Sequence, residues 1–127
     1  MDLRGKRLFI TGGSSGIGKA TAALAVSRGA DVVIAARRKS QLDETLAELR
    51  ASATRPDQKI EAIALDVSDR DAVQRAASEV LGTLGGLDIL INNAGIAHVG
   101  YLENESPQAY ERMIQVNYLG SVWVTQA

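Results

Sequence analysis

A glycine-rich segment near the start of the chain has the residue types that bind a phosphate group. The segment from Thr11 to Gly18 reads Thr-Gly-Gly-Ser-Ser-Gly-Ile-Gly and directly follows a short apolar run. Glycines permit a tight turn, and the N–H groups at the start of a helix can then bind a pyrophosphate. The spacing of Gly12, Gly16 and Gly18 is wider than the G-x-G-x-x-G of ordinary dinucleotide-binding folds. The alternative is a glycine turn that only packs tightly against a sheet.

The same segment also matches the beginning of a P-loop that binds nucleoside triphosphates. Gly13, Gly18 and Lys19 fit the pattern G-x-x-x-x-G-K, but that motif requires Ser or Thr next, because its hydroxyl binds Mg²⁺. Ala20 stands at this position and has no hydroxyl. We therefore disfavour an NTPase.

The residues that end the second apolar run indicate which dinucleotide is bound. Dinucleotide folds that use NAD usually carry an acidic residue about 20 residues after the glycines, which holds the ribose 2′-hydroxyl. Ala36 stands there, and Arg37, Arg38 and Lys39 follow. A guanidinium can bind a 2′-phosphate through paired hydrogen bonds. We predict NADP(H) as the cofactor and Arg37 as its phosphate contact; a solvated basic start to a helix is the alternative.

Two further polar segments end the third and fourth apolar runs. At the first, Asp66 is expected to accept a hydrogen bond from the adenine amino group, with Val67 beside the ring; alternatively, Asp66 only precedes a helix cap at Ser68. The second segment is Asn92-Asn93-Ala94-Gly95. Its small residues permit close approach to a ribose, and its amides can join neighbouring strand ends without adding charge.

Apolar runs alternate with helical patterns along the whole chain. The runs predict strands at Arg7–Thr11, Asp31–Ala36, Ile60–Leu65 and Leu87–Ile91. The helical patterns predict a first helix that ends at Gly29, a second capped by Ser40, a third with a capping box at Ser68–Asp71, and a last one that begins at Ser106-Pro107 and runs to the C-terminus. Such alternation predicts an α/β fold, a Rossmann-like doubly wound parallel sheet with strand order 3-2-1-4. The fourth strand would lie at an edge.

Length and composition narrow the possible classes of protein. The chain has 127 residues, a net charge of −1, no Cys and one His. These values favour a single domain and argue against disulfide frameworks, thiolate catalysis, a metal site and nucleic-acid binding. No apolar run is long enough to span a membrane, and a cytoplasmic location is expected. The chain ends inside an apolar stretch, which predicts that residues 1–127 are the N-terminal part of one domain.

Taken together, these motifs resemble the short-chain dehydrogenase/reductase family over nearly the whole chain. The resemblance implies that pyrophosphate and adenosine ribose contact the glycine-rich segment at Gly12, Ser14, Ser15, Gly16, Ile17 and Gly18. It implies that adenine contacts Asp66 and Val67, and that the ribose region contacts Asn92, Ala94 and Gly95. Asn117 matches the family's active-site asparagine, which supports a water-linked proton relay from a helix kink.

A narrower similarity concerns the substrate. The segments at residues 94–97, 110–113 and 116–122 are similar to those of 3-ketodihydrosphingosine reductases. This similarity implies a small-molecule carbonyl substrate, specifically a long-chain amino ketone, and a place in lipid metabolism. The family resemblance also implies a homo-oligomer.

The chain departs from the family pattern at the residues that carry the chemistry. The family uses a Tyr-x-x-x-Lys pair, in which Tyr transfers the proton and Lys lowers its pKa, together with an upstream Ser that orients the carbonyl. The three tyrosines here are each followed four positions later by a residue other than Lys: Tyr101 by Glu105, Tyr110 by Ile114 and Tyr118 by Val122. We therefore predict an oxidoreductase that uses NADPH, represented by a chain that is inactive alone. A catalytically inactive nucleotide-binding module is the alternative.

Overall fold

In the computed structural model, which describes residues 1–127, four parallel strands form one sheet. The strands are β1 (Arg7–Thr11), β2 (Asp31–Ala36), β3 (Ile60–Ala64) and β4 (Ile89–Ile91). Their order is β3-β2-β1-β4, which confirms the predicted class and strand order. In the centre of the sheet Phe9 lies between Val33 of β2 and Leu90 of β4.

Two strands are shorter than the sequence predicted. β3 ends at Ala64, although the N–H of Leu65 still donates to the carbonyl of Ala36 at 2.9 Å. β4 begins at Ile89 rather than Leu87. The preceding Gly85 and Gly86 have positive φ values of 75° and 140°, so the chain is still turning out of a helix there.

Helices cover both faces of the sheet. They are α1 (Gly16–Ser27), α2 (Lys39–Ala51), α3 (Arg70–Leu84), α4 (Pro107–Ile114) and α5 (Gly120–Gln126). A short 3-10 turn (Leu102–Asn104) lies in the loop after β4. No helix is both long and apolar enough to cross a membrane.

Two of the predicted helix caps were wrong. Ser40 lies inside α2, whose N-cap is Arg38 with no side-chain cap hydrogen bond. The N–H of Leu42 donates to the carbonyl of Arg38 at 3.0 Å, so the helix begins two residues earlier, and Leu42 is buried in the core at 2% exposure. For α3 the cap is Asp69, which accepts from the N–H of Ala72 at 3.0 Å. The Ser68 hydroxyl donates to the carboxylate of Asp66 instead.

The cap of the last helix was predicted correctly. The Ser106 hydroxyl accepts from the N–H of Ala109 at 3.2 Å, and Pro107 occupies the first turn of α4. α4 continues into a π turn (Gln115–Leu119) and then into α5. The expected kink at Asn117 therefore takes the form of a π turn, a local widening often found at functional sites.

The hydrophobic core lies on the two faces of the sheet, as strand periodicity requires. Leu8, Ile10, Val32 and Ile34 face α1 and α2 in one cluster. Their neighbours along the strands, such as Phe9 and Val33, belong to a second cluster beneath α3 and α5. With both faces covered, the carboxyl ends of the strands are left as the place where a ligand can enter.

Candidate functional site

A cavity of about 140 Å³ opens at the carboxyl ends of all four strands. It is bounded by the glycine-rich segment and by the residues that follow β2, β3 and β4. Eight of the predicted cofactor residues line it: Gly12, Ser14, Ser15, Arg37, Asp66, Val67, Ala94 and Gly95. The other predicted residues lie outside its wall: Gly16, Ile17, Gly18, Asn92 and Asn117.

The glycines of the segment are required by its backbone. Gly16 has a φ of 53°, in the left-handed region that favours glycine. A Cβ on Gly18 would overlap the carbonyl oxygen of Gly12. Gly18 is therefore needed for α1 to approach the end of β1 closely, although it does not itself line the cavity.

The N-terminus of α1 is available to an anion. Its N-cap Ser15 has an extended backbone and makes no side-chain cap hydrogen bond, and the first turn contains no acidic residue. The N–H groups of that turn carry a partial positive charge that favours a phosphate oxygen. Ile17, in the same turn, is 80% exposed, so any contact it makes with a ligand lies outside the enclosed cavity.

Two hydrogen bonds from distant elements hold the glycine-rich segment. The hydroxyl of Thr45, a buried residue of α2, donates to the carbonyl of Ser14 at 3.1 Å. The side-chain amide of Asn93 donates to the carbonyl of Gly12 at 2.9 Å. Sequence reasoning missed Thr45, although its position on the apolar face of α2, between Leu42 and Leu49, was a usable signal.

Thr11 joins the ends of β1 and β4. Its buried hydroxyl accepts from the N–H groups of Asn93 and Ala94, each at 3.1 Å. The side-chain amide of Asn93, which donates to the carbonyl of Gly12 after β1, joins neighbouring strand ends as was expected of the two asparagines. Asn92 points elsewhere, and its amide donates to the hydroxyl of Thr125 in α5 at 3.0 Å.

Arg37 lies on the cavity wall without an ionic partner. The residue is exposed, and no carboxylate forms a salt bridge with its guanidinium. The adjacent wall is formed by Ala36, Arg38 and Gln41, none of which is acidic. The position can therefore accept a phosphate and contains no carboxylate to repel one.

Asp66 lies at the centre of a small hydrogen-bond network. Its Oδ1 accepts from the N–H of Ser68 at 3.0 Å and from its hydroxyl at 2.7 Å. Its Oδ2 accepts from Nη2 of Arg112 at 2.8 Å, and Nη1 of Arg112 donates to the Ser68 hydroxyl. Partial burial raises the pKa of Asp66, but the bonds from Ser68 and Arg112 outweigh it and lower the pKa to about 2.

This network corrects one sequence interpretation and adds a residue. Asp66 is not merely the residue before a helix cap, because the Ser68 hydroxyl donates to its carboxylate and Asp69 is the cap of α3. Arg112 was not recognised as a site residue. It comes 46 residues later in the chain, and no local pattern pairs it with Asp66.

Asn117 holds the segment that follows β4. Its Oδ1 accepts from the N–H of Ile96 at 2.8 Å, and its Nδ2 donates to the carbonyl of Ile96 at 2.8 Å. Both polar atoms of the side chain are engaged in this way. Asn117 thus fixes Ile96, a residue of the cavity wall, from the π turn.

The fold and this site define a dinucleotide-binding α/β protein, with an open anion site at a helix N-terminus and a crevice at the strand ends. The family model for short chain dehydrogenases matches residues 6–127. The chain therefore belongs to the short-chain dehydrogenase/reductase family, as its motifs indicated.

Curated relatives support the family and differ in what they act on. An uncharacterised oxidoreductase of Mycobacterium tuberculosis is 42% identical over 122 residues, covering 94% of this chain and 36% of the relative. The 3-ketodihydrosphingosine reductase of Bos taurus is 34% identical over 126 residues, covering 98% of this chain and 38% of the relative. The chain thus spans less than half the length of these relatives.

Solved structures share the fold closely. A short chain dehydrogenase from Burkholderia cenocepacia, in complex with NADP, has a TM-score of 0.90 and 35% identity, covering 99% of this chain and 50% of that one. A 3-ketoacyl-(acyl-carrier-protein) reductase from Brucella melitensis, complexed with NADH, has a TM-score of 0.88 and 34% identity, covering 98% and 49%. Family membership alone is therefore compatible with either cofactor.

Proposed function

We propose that this chain is the NADP(H)-binding part of an oxidoreductase that reduces a carbonyl group to an alcohol. One arrangement carries the proposal. The cavity at the strand ends has the uncapped N-terminus of α1 on one side and Arg37, free of ionic partners, on another. The first fits a pyrophosphate and the second a 2′-phosphate, so the residues present fit the phosphate groups of the cofactor.

The remaining wall residues have tasks that follow from their chemistry. The glycine-rich segment would receive the pyrophosphate, and the Asp66 carboxylate would accept from the adenine amino group beside Val67. Ala94 and Gly95 leave space for the ribose, while Asn92 would act from outside the wall. When bound, NADPH supplies the hydride for the reduction.

Asn117 is part of this proposal in two ways. Its side chain positions Ile96 against the cavity. Family resemblance further assigns it to a water-linked proton relay. Because both atoms of its amide are engaged by Ile96, such a relay would use the backbone of the π turn rather than the side chain.

Cofactor preference is the experiment that tests the proposal. We expect the wild-type chain to bind NADPH more tightly than NADH by roughly tenfold or more, since one charge-assisted contact contributes about 1.5–3 kcal/mol. The measurement is a titration of each cofactor followed by nicotinamide fluorescence. Equal affinities for the two cofactors, or no binding of either, would contradict the proposal.

The second candidate, an inactive nucleotide-binding module, is favoured by a specific absence. None of the tyrosines is followed by Lys four positions later, so the 127 residues contain no Tyr-x-x-x-Lys pair. Carbonyl reduction needs a proton donor within hydrogen-bond reach. We expect this chain alone to bind NADPH without oxidising it in the presence of a ketone, and steady oxidation would show that another group donates the proton.

The nucleotide sequence downstream of the Ala127 codon separates the two candidates. An in-frame continuation that contains Tyr-x-x-x-Lys supports the reductase, and a stop codon there supports the binding module. For the reductase, we propose a long-chain amino ketone as substrate, on the basis of 34% identity to the Bos taurus 3-ketodihydrosphingosine reductase. The role in lipid metabolism and the cytoplasmic location stay predictions.

We also propose that the chain self-associates. β4 is an edge strand, and such an edge can pair with another chain. Ile114 at the end of α4 and Tyr118 in the π turn are 57% and 63% exposed. Light scattering over a concentration series should show a dimer or larger species. A clean monomer at high micromolar concentration, with Trp123 shielded from quenchers, would contradict this.

A further inference from the structure

Arg112 connects α4 to the end of β3. Its guanidinium donates through Nη2 to Oδ2 of Asp66 at 2.8 Å and through Nη1 to the Ser68 hydroxyl. The side chains of Arg112 and Asp66 are 35% and 38% exposed, so the pair lies at the protein surface, and Asp66 forms part of the cavity wall.

The two oxygens of Asp66 are held by different partners. Oδ1 is held by Ser68, two residues away, through its N–H and its hydroxyl. Oδ2 has one partner in the chain, which is Arg112. Ser68 therefore fixes the position of the carboxyl group locally, whereas the direction of Oδ2 depends on the distant arginine.

Asp66 has capacity for one more donor. An ionised carboxylate has about four acceptor positions. Ser68 occupies two on Oδ1, and Arg112 occupies one on Oδ2. The remaining position is on Oδ2, the oxygen that Arg112 orients. An amino group, which donates, suits that position, and a carbonyl oxygen in the same place would be repelled.

We propose that Arg112 is a positioning residue for adenine recognition, because it holds Oδ2 of Asp66 where the exocyclic amino group of the cofactor's adenine can donate to it. The inference rests on the proposed function, since it requires NADPH in this cavity. It predicts that Arg112 governs discrimination between adenine and a purine that lacks the amino group. A role that only anchors α4 to the sheet would affect both purines equally.

The test compares NADPH with its reduced hypoxanthine analogue, in which a carbonyl oxygen replaces the adenine amino group. The affinity of each cofactor is measured for the full 127-residue chain, and the ratio of the two affinities is the readout. We expect the wild type to favour NADPH by about tenfold, the effect of one hydrogen bond to a charged acceptor. In Arg112→Met this ratio should fall below about threefold.

Two further variants keep the test decisive. Arg70→Met is the matched control, because Arg70 lies over the ring of Trp123 at 4.8 Å, in α5, which continues from α4 through the π turn, and it makes no bond to Asp66. Its ratio should equal that of the wild type. Arg112→Leu has no hydrogen-bond donor and good helix propensity, so it carries the test if Arg112→Met does not fold, and its ratio should fall in the same way.

The outcomes separate the inference from the proposed function. Failure of the wild type to bind NADPH would overturn both. Binding of NADPH with an unchanged ratio in the Arg112 variants would overturn the inference alone, as would a wild type that binds the two cofactors equally. A ratio that falls in the Arg112 variants and persists in Arg70→Met would establish it.

Discussion

Charged side chains are used differently at the two ends of the sheet. At the amino ends, Arg55 forms a salt bridge with Asp31 at 3.0 Å, and Arg7 holds Asp88 through Nε at 2.9 Å. At the carboxyl ends, Asp66 is also paired, with Arg112 at 2.8 Å, whereas Arg37 has no ionic partner in the chain although it lies on the cavity wall.

The difference supports the proposal that Asp66 and Arg37 bind a ligand. The carboxylate of Asp88 takes two hydrogen bonds from the Arg7 side chain and one from its N–H. These bonds hold the pKa of Asp88 well below its usual range and raise the pKa of Arg7. Asp66 has one unoccupied acceptor position, and the N–H groups of the Arg37 guanidinium make no hydrogen bond within the chain. Substitutions at the amino end should therefore change stability alone, and those at the carboxyl end should change cofactor binding.

Gly18→Ala should have the largest effect on the carboxyl end. The added Cβ would overlap the carbonyl of Gly12, so the glycine-rich segment must shift. Overpacking of this kind costs about 1–3 kcal/mol, and NADPH affinity should fall by roughly tenfold to a hundredfold. Thermal unfolding and a cofactor titration measure the two effects. Gly82→Ala is the control, since its Cβ would enter open space in α3. If Gly82→Ala lost as much NADPH affinity as Gly18→Ala, the steric explanation would be contradicted.

Arg55→Met should show the opposite behaviour at the amino end. The substitution leaves Asp31 without its arginine, where the two side chains are only 23% and 16% exposed. It also removes the bond from Arg55 to the carbonyl of Gly29 at 3.1 Å. Loss of these bonds should lower the free energy of unfolding by about 1–3 kcal/mol, as measured by urea denaturation. NADPH affinity should stay within about twofold of wild type, and a larger drop would break the distinction between the two ends.

The smallest expected effect is a pH dependence of stability from Asp66. Its pKa in the folded chain is about 2, below the ordinary value of 3.8, so its contribution is complete above about pH 4 and is lost as the pH falls towards 2. Because its side chain is 38% exposed, we expect a contribution of about 1 kcal/mol after solvent screening. Unfolding free energies of wild type and Asp66→Asn should converge over this interval, and a constant difference would count against the network.

The sequence was sufficient for the fold because each element has its own local signal. The apolar runs from Arg7 and from Asp31 gave strand bounds that match the structure. The prediction of caps at Ser40 and Ser68 is wrong, because a serine near a helix start can also lie within the first turn or bind a side chain. In each case the decision depends on a neighbouring element, here the buried position of Leu42 and the carboxylate of Asp66.

The residues of the cavity wall were predictable from the sequence, whereas the residues that hold them in place were not. Residues at strand ends follow from topology, which is why Arg37, Asp66 and Ala94 were found together. Thr45 and Arg112 support the site from 31 and 46 residues away in the chain. Contacts over such separations arise only after the helices have packed, so no spacing rule in a single sequence identifies them.

We propose that Arg37 selects the phosphate-bearing cofactor, and a comparison of cofactor affinities tests this role. The ratio of NADPH to NADH affinity is determined for wild type, Arg37→Ala and Lys39→Ala. Lys39 is the matched control, because it is a neighbouring cation that pairs with Asp43 at 3.2 Å and does not line the cavity. We expect a ratio of roughly tenfold or more in wild type and Lys39→Ala, and a ratio near one in Arg37→Ala. An unchanged ratio in Arg37→Ala would contradict the account.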